Sequence, residues 1–244
     1  MQNKPIFLAG FPVIETPKQD LANYLFERLA VGKKSILFFA NTNFVVNCRS
    51  LLPRMFDDNV VIVNDGIGMD IGSLLVNHRK FKTNLNGTDF TPYFFKQSQT
   101  PLFVFLLGSK PDVITKAAYF LSHELGQKVV GSCDGYDGIN KQEELVQIIN
   151  ASNADIVLVG MGNPIQEEWI LNNYRLLNAN LIFGVGGIFD FWSGDKPRAP
   201  LLIQNIRMEW FYRLSLEPKR LIKRYTIDAV KFLILCFTYR KKNV

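Results

Sequence analysis

Short apolar runs alternate with longer helical patterns along the whole chain, and this alternation limits the possible folds more than any other feature. The runs are rich in Val, Ile, Leu and Phe without strict polar alternation, which is typical of strands covered on both faces. They are Pro5–Phe11, Ser35–Ala40, Asn59–Asn64, Pro101–Leu107, Lys128–Val130, Asp155–Val159 and Asn180–Val185. The helical patterns between them include Asp20–Ala30, Pro111–Leu125, Lys141–Ala151 and Pro164–Leu176. This order predicts an α/β protein with a mostly parallel sheet flanked by helices.

The charge of the chain is concentrated near its end. The 244 residues are 48% hydrophobic and 20% charged, which disfavours disorder and coiled coil. The net charge is +6, but the segment from Lys196 to Val244 holds 12 Lys and Arg against 3 Asp and Glu. The residues before it hold 16 against 19. We therefore expect an α/β core over residues 1–194 and a basic helical appendage over residues 195–244.

Cysteine spacing and hydropathy indicate the cellular compartment of such a chain. Cys48, Cys133 and Cys236 lie far apart with no CxxC, so neither a disulfide framework nor a zinc site is predicted. Scattered thiols of this kind are typical of a reducing cytoplasm. The most apolar run, Phe232–Phe237, is much shorter than the roughly 20 residues that a bilayer-spanning helix needs. The sequence predicts a protein that is not integral to a membrane.

Four junctions between a strand and a helix are candidates for a ligand site, because open parallel sheets bind ligands beyond the carboxyl ends of their strands. The first is Asn64-Asp65-Gly66. One interpretation is a turn in which Asp65 caps the next helix. The other makes Asp65 a general base at the sheet edge, with Gly66 permitting close backbone approach.

Two further junctions combine glycines with signals for the start of a helix. Gly108 and Ser109 precede a proline, and the free amides of that helix start would suit a phosphate, although many such turns bind nothing. Gly160 and Gly162 stand before Asn-Pro, with Gln166 in the first turn. Here a plain capped turn and a bound ligand are both compatible with the sequence.

The fourth junction contains Gly186 and Gly187 and partly matches a dinucleotide loop. Phe189 replaces the third glycine of GxGxxG, and no acidic residue follows about 20 positions on, so a nicotinamide cofactor is disfavoured. The chain has no Walker motif and no GxSxG elbow. It also has no DxD, and its two histidines stand apart from Cys and acidic clusters, so no metal site is predicted.

The basic end reads as two helical patterns on either side of Pro218, over Leu201–Leu214 and onward to about Tyr239. The second has a cationic face and an opposite apolar face: Arg220, Arg224 and Lys231 against Leu221, Ile222, Tyr225, Ala229, Phe232, Leu233 and Cys236. Such a helix either packs on its own domain with a solvated basic face or attaches peripherally to an anionic membrane. Nucleic acid is disfavoured, because no recognised reading module accompanies the charge.

Taken together, the motifs resemble the WecG/TagA/CpsF family of bacterial glycosyltransferases, also called glycosyltransferase family 26. The matching segments extend from about Asn41 to Tyr225. They are NDGIGM at Asn64–Met69, NGTDF at Asn86–Phe90, FLLGSKP at Phe105–Pro111, VGSCDGY at Val130–Tyr136, VGMGNPIQEEW at Val159–Trp169, GVGGIFDFWSGDKPRAP at Gly184–Pro200, EWFYRL at Glu209–Leu214 and EPKRLIKRY at Glu217–Tyr225.

The resemblance implies a Rossmann-like fold with a C-terminal appendage, and an inverting, metal-independent transfer of a sugar. The donor would be a nucleotide-diphosphate sugar such as a UDP-sugar, and the acceptor a lipid-linked saccharide. The implied place is the inner face of the cell membrane, touched through the C-terminal helix, in surface polysaccharide or cell-wall polymer synthesis. No cofactor and no nucleic acid partner are implied, and a homo-oligomer is compatible with the family.

The resemblance also assigns roles to residues. It places the catalytic base on Asp65 and phosphate-binding arginines of the appendage on Arg213, Arg220 and Arg224. Residues expected to meet the donor or its diphosphate are Asn41, Gly66, Asn84, Gly108, Ser109, Gly160, Gly162, Gln166, Gly186 and Gly187.

Two positions depart from the family pattern, and two other functions stay open. The family often has Thr where this chain has Phe39, and Arg where it has Asn84, so the donor sugar can differ from N-acetylmannosamine. The alternatives are a nucleotide-sugar isomerase or oxidoreductase, and a non-catalytic membrane adaptor in which Asp65 and the glycines have no chemical role.

Overall fold

The computed structural model describes most of the chain. It covers residues 4–135, 142–205 and 208–240, apart from the side chains of Gln142, Asn205, Arg220 and Arg240. The predicted helix start at Lys141 and the final lysines of the basic end lie outside this part.

One sheet of eight strands forms the centre of the described part. The strands are β1 Ile6–Leu8, β2 Phe11–Ile14, β3 Ser35–Ala40, β4 Val60–Asn64, β5 Phe103–Gly108, β6 Lys128–Cys133, β7 Ile156–Gly160 and β8 Leu181–Gly184. Their spatial order is β1-β2-β4-β3-β8-β7-β5-β6, and every neighbouring pair is parallel except β1 with β2. The prediction of a mostly parallel α/β sheet is confirmed.

The first predicted strand is wrong in its detail. Pro5–Phe11 is not a single strand, because the chain reverses at Ala9 and Gly10 and forms an antiparallel hairpin with Val13 opposite Ile6. Both turn residues have positive φ, at 48° and 86°, which is the geometry that two-residue hairpin turns favour. The run is apolar throughout, so nothing in its periodicity separates the two strands.

Helices cover both faces of the sheet. In chain order they are α1 Lys18–Ala30, α2 Thr42–Asn47, α3 Ile67–Asn77, α4 Gly87–Gln97, α5 Pro111–His123, α6 Gln142–Ala151, α7 Ile165–Asn173 and α8 Ile188–Trp192, with a 3-10 helix at Arg49–Phe56. One apolar core joins the sheet to α1, α4, α5 and α8, and a second joins the opposite face to α2, α3, α6 and α7. This is the three-layer arrangement expected when strands are buried on both sides.

The basic end forms four helices in the described part: α9 Leu201–Asn205, α10 Glu209–Leu216, α11 Pro218–Tyr225 and α12 Ile227–Arg240. The single helix predicted from Pro218 to about Tyr239 is wrong, because Thr226, at φ −115° and ψ −81°, breaks it. The predicted cationic face is therefore divided between two separate helices, α11 and α12. No helix of the described residues is both long and apolar enough to cross a membrane.

The last helix, α12, packs against the α/β core on the face that carries α2 and α3. Phe232 and Cys236 are buried there against Gly72 of α3, where an added Cβ would lie 2.5 Å from the Phe232 ring. Near its end, the Tyr239 ring stacks on the Arg49 guanidinium at 3.8 Å. Part of the apolar face predicted from the sequence is therefore buried within the chain itself.

Candidate active site

A pocket of about 340 Å³ lies at the carboxyl ends of β3, β4, β7 and β8, with α10 and α11 contributing to its wall. These four strands are neighbours in the middle of the sheet, so the segments that follow them meet at one edge. The sequence-predicted residues that line the pocket are Asn41, Asp65, Gly162, Gln166, Gly186, Gly187, Arg213 and Arg224.

Asp65 is held at the pocket by β4, which it follows, and by the neighbouring strand β3. Its backbone N–H donates to the carbonyl of Ala40 at 2.7 Å, which extends the β3–β4 pairing by one residue. Gly66 then turns the chain into α3 at φ +89°, a conformation that favours glycine. Asn84 Oδ1 accepts the Gly66 N–H at 2.7 Å, and Asn41 Nδ2 donates to Asp65 Oδ2 at 3.4 Å.

Withdrawal from water raises the pKa of Asp65 to about 6, since burial favours the neutral acid. The hydrogen bond from Asn41 and the positive charges of Arg224 and Arg213 oppose this rise, and the negative charge of Glu209 adds to it. A carboxylate with this pKa is ionised near neutral pH and is a stronger base than an ordinary Asp. This combination suits proton acceptance by a group in a pocket.

Asn84 and Asn41 both act on the loop that carries Asp65. Asn84 contacts the Gly66 amide and does not line the pocket described above. Asn41 lines it and also caps α2, because its Oδ1 accepts the Phe44 N–H at 3.1 Å. In this structure the two asparagines hold the aspartate loop in place.

Four of the predicted residues at glycine turns, namely Gly66, Gly108, Ser109 and Gly160, do not line the pocket. Gly108 ends β5, one strand farther from the centre of the sheet, and an added Cβ there would lie 2.4 Å from the Gly160 carbonyl oxygen. Gly160 in turn lies against the Phe189 ring. These two glycines are required for close packing of the ends of β5 and β7. Ser109 follows Gly108 and has a φ of +64°.

A group of side-chain amides, carried by the segments that follow β3 and β7, forms another part of the pocket wall. The capped turn that the sequence allowed at Asn163-Pro164 does not form with Asn163 as the cap, because α7 begins at Ile165 and Pro164 occupies the cap position. The Asn163 side chain instead accepts from Asn43 Nδ2 at 3.1 Å. Asn43 and Asn163 both line the pocket, and no sequence motif had singled them out for ligand contact.

The appendage contributes Arg213 from α10 and Arg224 from α11, with Lys223 and Asp228 as further lining residues that the sequence had not indicated. The Arg213 guanidinium also lies 5.3 Å from the centre of the Phe191 ring. The side chain of Arg220 lies outside the described residues.

Ion pairs connect α10 and α11 to the core. Lys196 Nζ lies 2.6 Å from Asp190 Oδ2 and 3.3 Å from Glu217 Oε1. Arg198 pairs with Asp89 and lies 3.8 Å from Glu209. Lys196 and Arg198 therefore fix both ends of α10 and the start of α11.

A second cavity, about 430 Å³, lies between the β1–β2 hairpin, the end of α3 and the end of α12. Its charged lining residue in the described part is Arg79, and none of the predicted site residues reaches it. Among the described residues, no three His, Cys, Asp or Glu side chains gather in a way that could hold a metal ion.

Comparison with protein families agrees with the motifs. The model of the glycosyl transferase WecG/TagA/CpsF family matches residues 6–244, which is essentially the whole chain. The chain therefore belongs to this family. Membership gives it a glycosyltransferase-type role in cell-surface polysaccharide synthesis.

Proposed function

We propose that this family member transfers a sugar from a nucleotide-diphosphate donor, a UDP-sugar, to a lipid-linked acceptor with inversion at the anomeric carbon. The observation that carries the proposal is Asp65, a carboxylate of raised pKa at a pocket into which two arginines project their charge. A base and nearby cations are the two groups that a direct displacement from a diphosphate requires.

The reaction follows from this pairing. An acceptor hydroxyl oxygen attacks the anomeric carbon, and its proton passes to the Asp65 carboxylate. The bond between that carbon and the diphosphate oxygen breaks, and both bonding electrons leave with UDP. Because attack and departure occur on opposite faces in one step, the configuration inverts. General-base help of this kind accelerates a reaction by roughly 10²–10⁴-fold.

The leaving diphosphate gains negative charge, which Arg213 and Arg224 are placed to stabilise. Guanidinium groups stay protonated and bind phosphate oxygens with two parallel hydrogen bonds. The turns at Gly162 and Gly187 also line this edge, where their backbone amides can serve as further donors. We propose that these groups stabilise the charge without a divalent cation.

The decisive experiment measures sugar transfer and donor binding together. Wild-type protein is tested by thermal shift with UDP, a set of UDP-sugars and NAD, and then for transfer to a lipid-linked saccharide with and without EDTA. We expect stabilisation by UDP, none by NAD, and transfer that EDTA changes by less than about twofold. A shift with NAD alone would favour the oxidoreductase, and loss of transfer in EDTA would overturn the metal-free scheme.

The same proposal includes contact with a membrane. On α12, Ile227, Val230, Ile234 and Phe237 are exposed on the side away from the core. On the neighbouring helix α3, apolar side chains at successive turns are exposed as well, namely Ile67, Ile71, Leu74 and Leu75. Apolar faces accompanied by lysines favour a peripheral position on an anionic bilayer, where lipid-linked acceptors are found.

A further inference from the structure

We propose that Glu167 is a positioning residue that orients the side-chain amides of Asn163 and Gln166 for donor binding. The inference rests on the proposed function, because it assigns these amides to the nucleotide-sugar. Neither the sequence motifs nor the proposed chemistry had given Glu167 a role.

Glu167 lies in the first turn of α7 and is fully buried behind the pocket wall. Its Oε1 atom accepts two hydrogen bonds, from Gln166 Nε2 at 2.5 Å and from Asn163 Nδ2 at 2.6 Å. Its Oε2 atom accepts from the Cys48 thiol at 3.4 Å. The carboxylate thus receives donors from three uncharged side chains.

These contacts fix which way each amide points. An ionised carboxylate can only accept, whereas an amide has a donor end and an acceptor end, so the NH₂ ends must face Glu167. The carbonyl oxygens then face elsewhere: Gln166 Oε1 accepts the Gly186 N–H at 3.0 Å, and Asn163 Oδ1 accepts from Asn43. One buried oxygen thereby orders a chain of groups that reaches from the segment after β3 to the turn after β8.

The ordered amides belong to the pocket itself. Gln166, Asn163, Asn43 and Gly186 all line it, while Glu167 does not. Each NH₂ group has two hydrogens, and we expect the one not bound to Glu167 to donate to a hydroxyl or phosphate oxygen of the ligand. Fixing these groups before the ligand arrives removes an ordering cost from binding, which is how preorganised sites gain affinity.

Stability alone does not account for a carboxylate at this position. Burial raises the pKa of Glu167, because removal from water penalises its charged form. Apolar residues of similar volume often replace buried charges without loss of stability. An apolar residue cannot accept the hydrogen bonds of two amides at once, whereas the Glu167 carboxylate does.

Three substitutions separate acceptor geometry from charge. Glu167→Met keeps the length and removes both acceptors. Glu167→Gln keeps one carbonyl acceptor for the two amides, and its own NH₂ can donate to the sulfur of Cys48, a weak acceptor. Glu167→Asp keeps the charge but withdraws the carboxylate by about 1.5 Å, so that it cannot reach both amides. Glu168→Met, on the exposed face of the same helix, is the matched control.

The readout is the affinity for UDP and UDP-N-acetylmannosamine, measured by calorimetry on protein whose folding is checked by thermal unfolding. We expect Kd to rise about tenfold for at least one of these probes in Glu167→Met and Glu167→Asp, as for the loss of one or two hydrogen bonds. We expect Glu167→Gln to stay within about threefold of wild type and Glu168→Met to be unchanged. If Asp preserves affinity and Gln loses it, charge and not acceptor position matters, and the inference is overturned.

A ligand-free measurement separates this inference from the proposed function. In ¹⁵N-resolved NMR spectra, the side-chain NH₂ signals of Asn163 and Gln166 should be dispersed in wild type and in Glu167→Gln. They should move to averaged, solvent-like positions in Glu167→Asp, and in Glu167→Met if it folds. If wild type binds neither probe, the proposed function fails while this result still stands. Unchanged amide signals in the folded variants would overturn the positioning role.

Discussion

At the scale of single residues, Asp65 shows how one side chain is adjusted by what surrounds it. Withdrawal from water raises its pKa, while Asn41, Arg224 and Arg213 lower it, and the balance leaves it near 6. The sequence indicated the aspartate, since it stands at the end of an apolar strand and before glycine. It could not indicate the pKa, because the groups that set it come from distant parts of the chain.

The pH dependence of transfer should report this balance. For a base that must be ionised, kcat/KM should rise about tenfold per pH unit up to about 6 and level off above it. Because a nearby cation lowers the pKa of a carboxylate, Arg213→Met or Arg224→Met should move this midpoint upward by roughly 0.5–1 pH unit. The exposed Arg175→Met is the control, and equal midpoints in all variants would contradict the assignment.

Asp65→Asn tests the same residue by rate and by stability. Turnover should fall by at least about 10²-fold with donor affinity retained, whereas equal loss of both would mark Asp65 as a structural residue. The structure gives the cap position of α3 to Gly66, with no side-chain cap hydrogen bond, so the interpretation of Asp65 as a helix cap is wrong. The folded pKa of about 6 lies above the ordinary 3.8. The free energy of unfolding of the wild type is therefore highest below about pH 4 and falls as the pH rises from there through about 6. Asn carries no charge and should therefore be more stable than wild type at pH 8, by about 3 kcal/mol.

Urea unfolding at pH 4 and pH 8 measures this difference. The advantage of Asp65→Asn should be full at pH 8 and much smaller at pH 4, where folded Asp65 is neutral and the unfolded side chain, with its ordinary pKa of 3.8, is about half ionised. A difference that stays constant with pH would instead point to a change in packing or capping.

At the scale of elements, the contact between α3 and α12 decides what the basic end does. The sequence predicted one helix with a cationic and an apolar face. In the structure, Thr226 breaks it into two helices, and Phe232 and Cys236 of the second are buried against the core. Gly72 permits the contact, since any side chain there would meet the Phe232 ring. A glycine inside a helix pattern is visible in the sequence, but the helix that packs against it is not.

Gly72→Leu should separate α12 from α3. Overpacking of this kind costs about 1–3 kcal/mol, which would appear as a lower midpoint of thermal unfolding. Leu75→Ala on the exposed face of α3 is the control, because it removes apolar surface without touching α12. Equal midpoints for Gly72→Leu and wild type would show that α12 does not pack here in solution.

At the scale of the whole molecule, the exposed faces of α12 and α3 predict binding to a membrane. In flotation with vesicles that contain anionic lipid, Ile234→Glu with Phe237→Glu should reduce the floating fraction severalfold, since a charge on an inserted face opposes insertion. The control is Ile148→Glu on α6, an equally exposed apolar residue elsewhere. Equal flotation of both proteins would contradict membrane contact through α12.

The sequence by itself determined the α/β class and the family, and it indicated candidate strand ends, because periodicity and local turn chemistry are properties of short segments. It also indicated Asp65, Gln166 and the basic end. Only the tertiary structure decided which strand ends meet, since neighbours in a sheet are chosen by packing between segments far apart in the chain. The order β4-β3-β8-β7 brings Asp65, Asn41, Gln166 and Gly186 to one edge, and it leaves Gly108 and Ser109 one strand away.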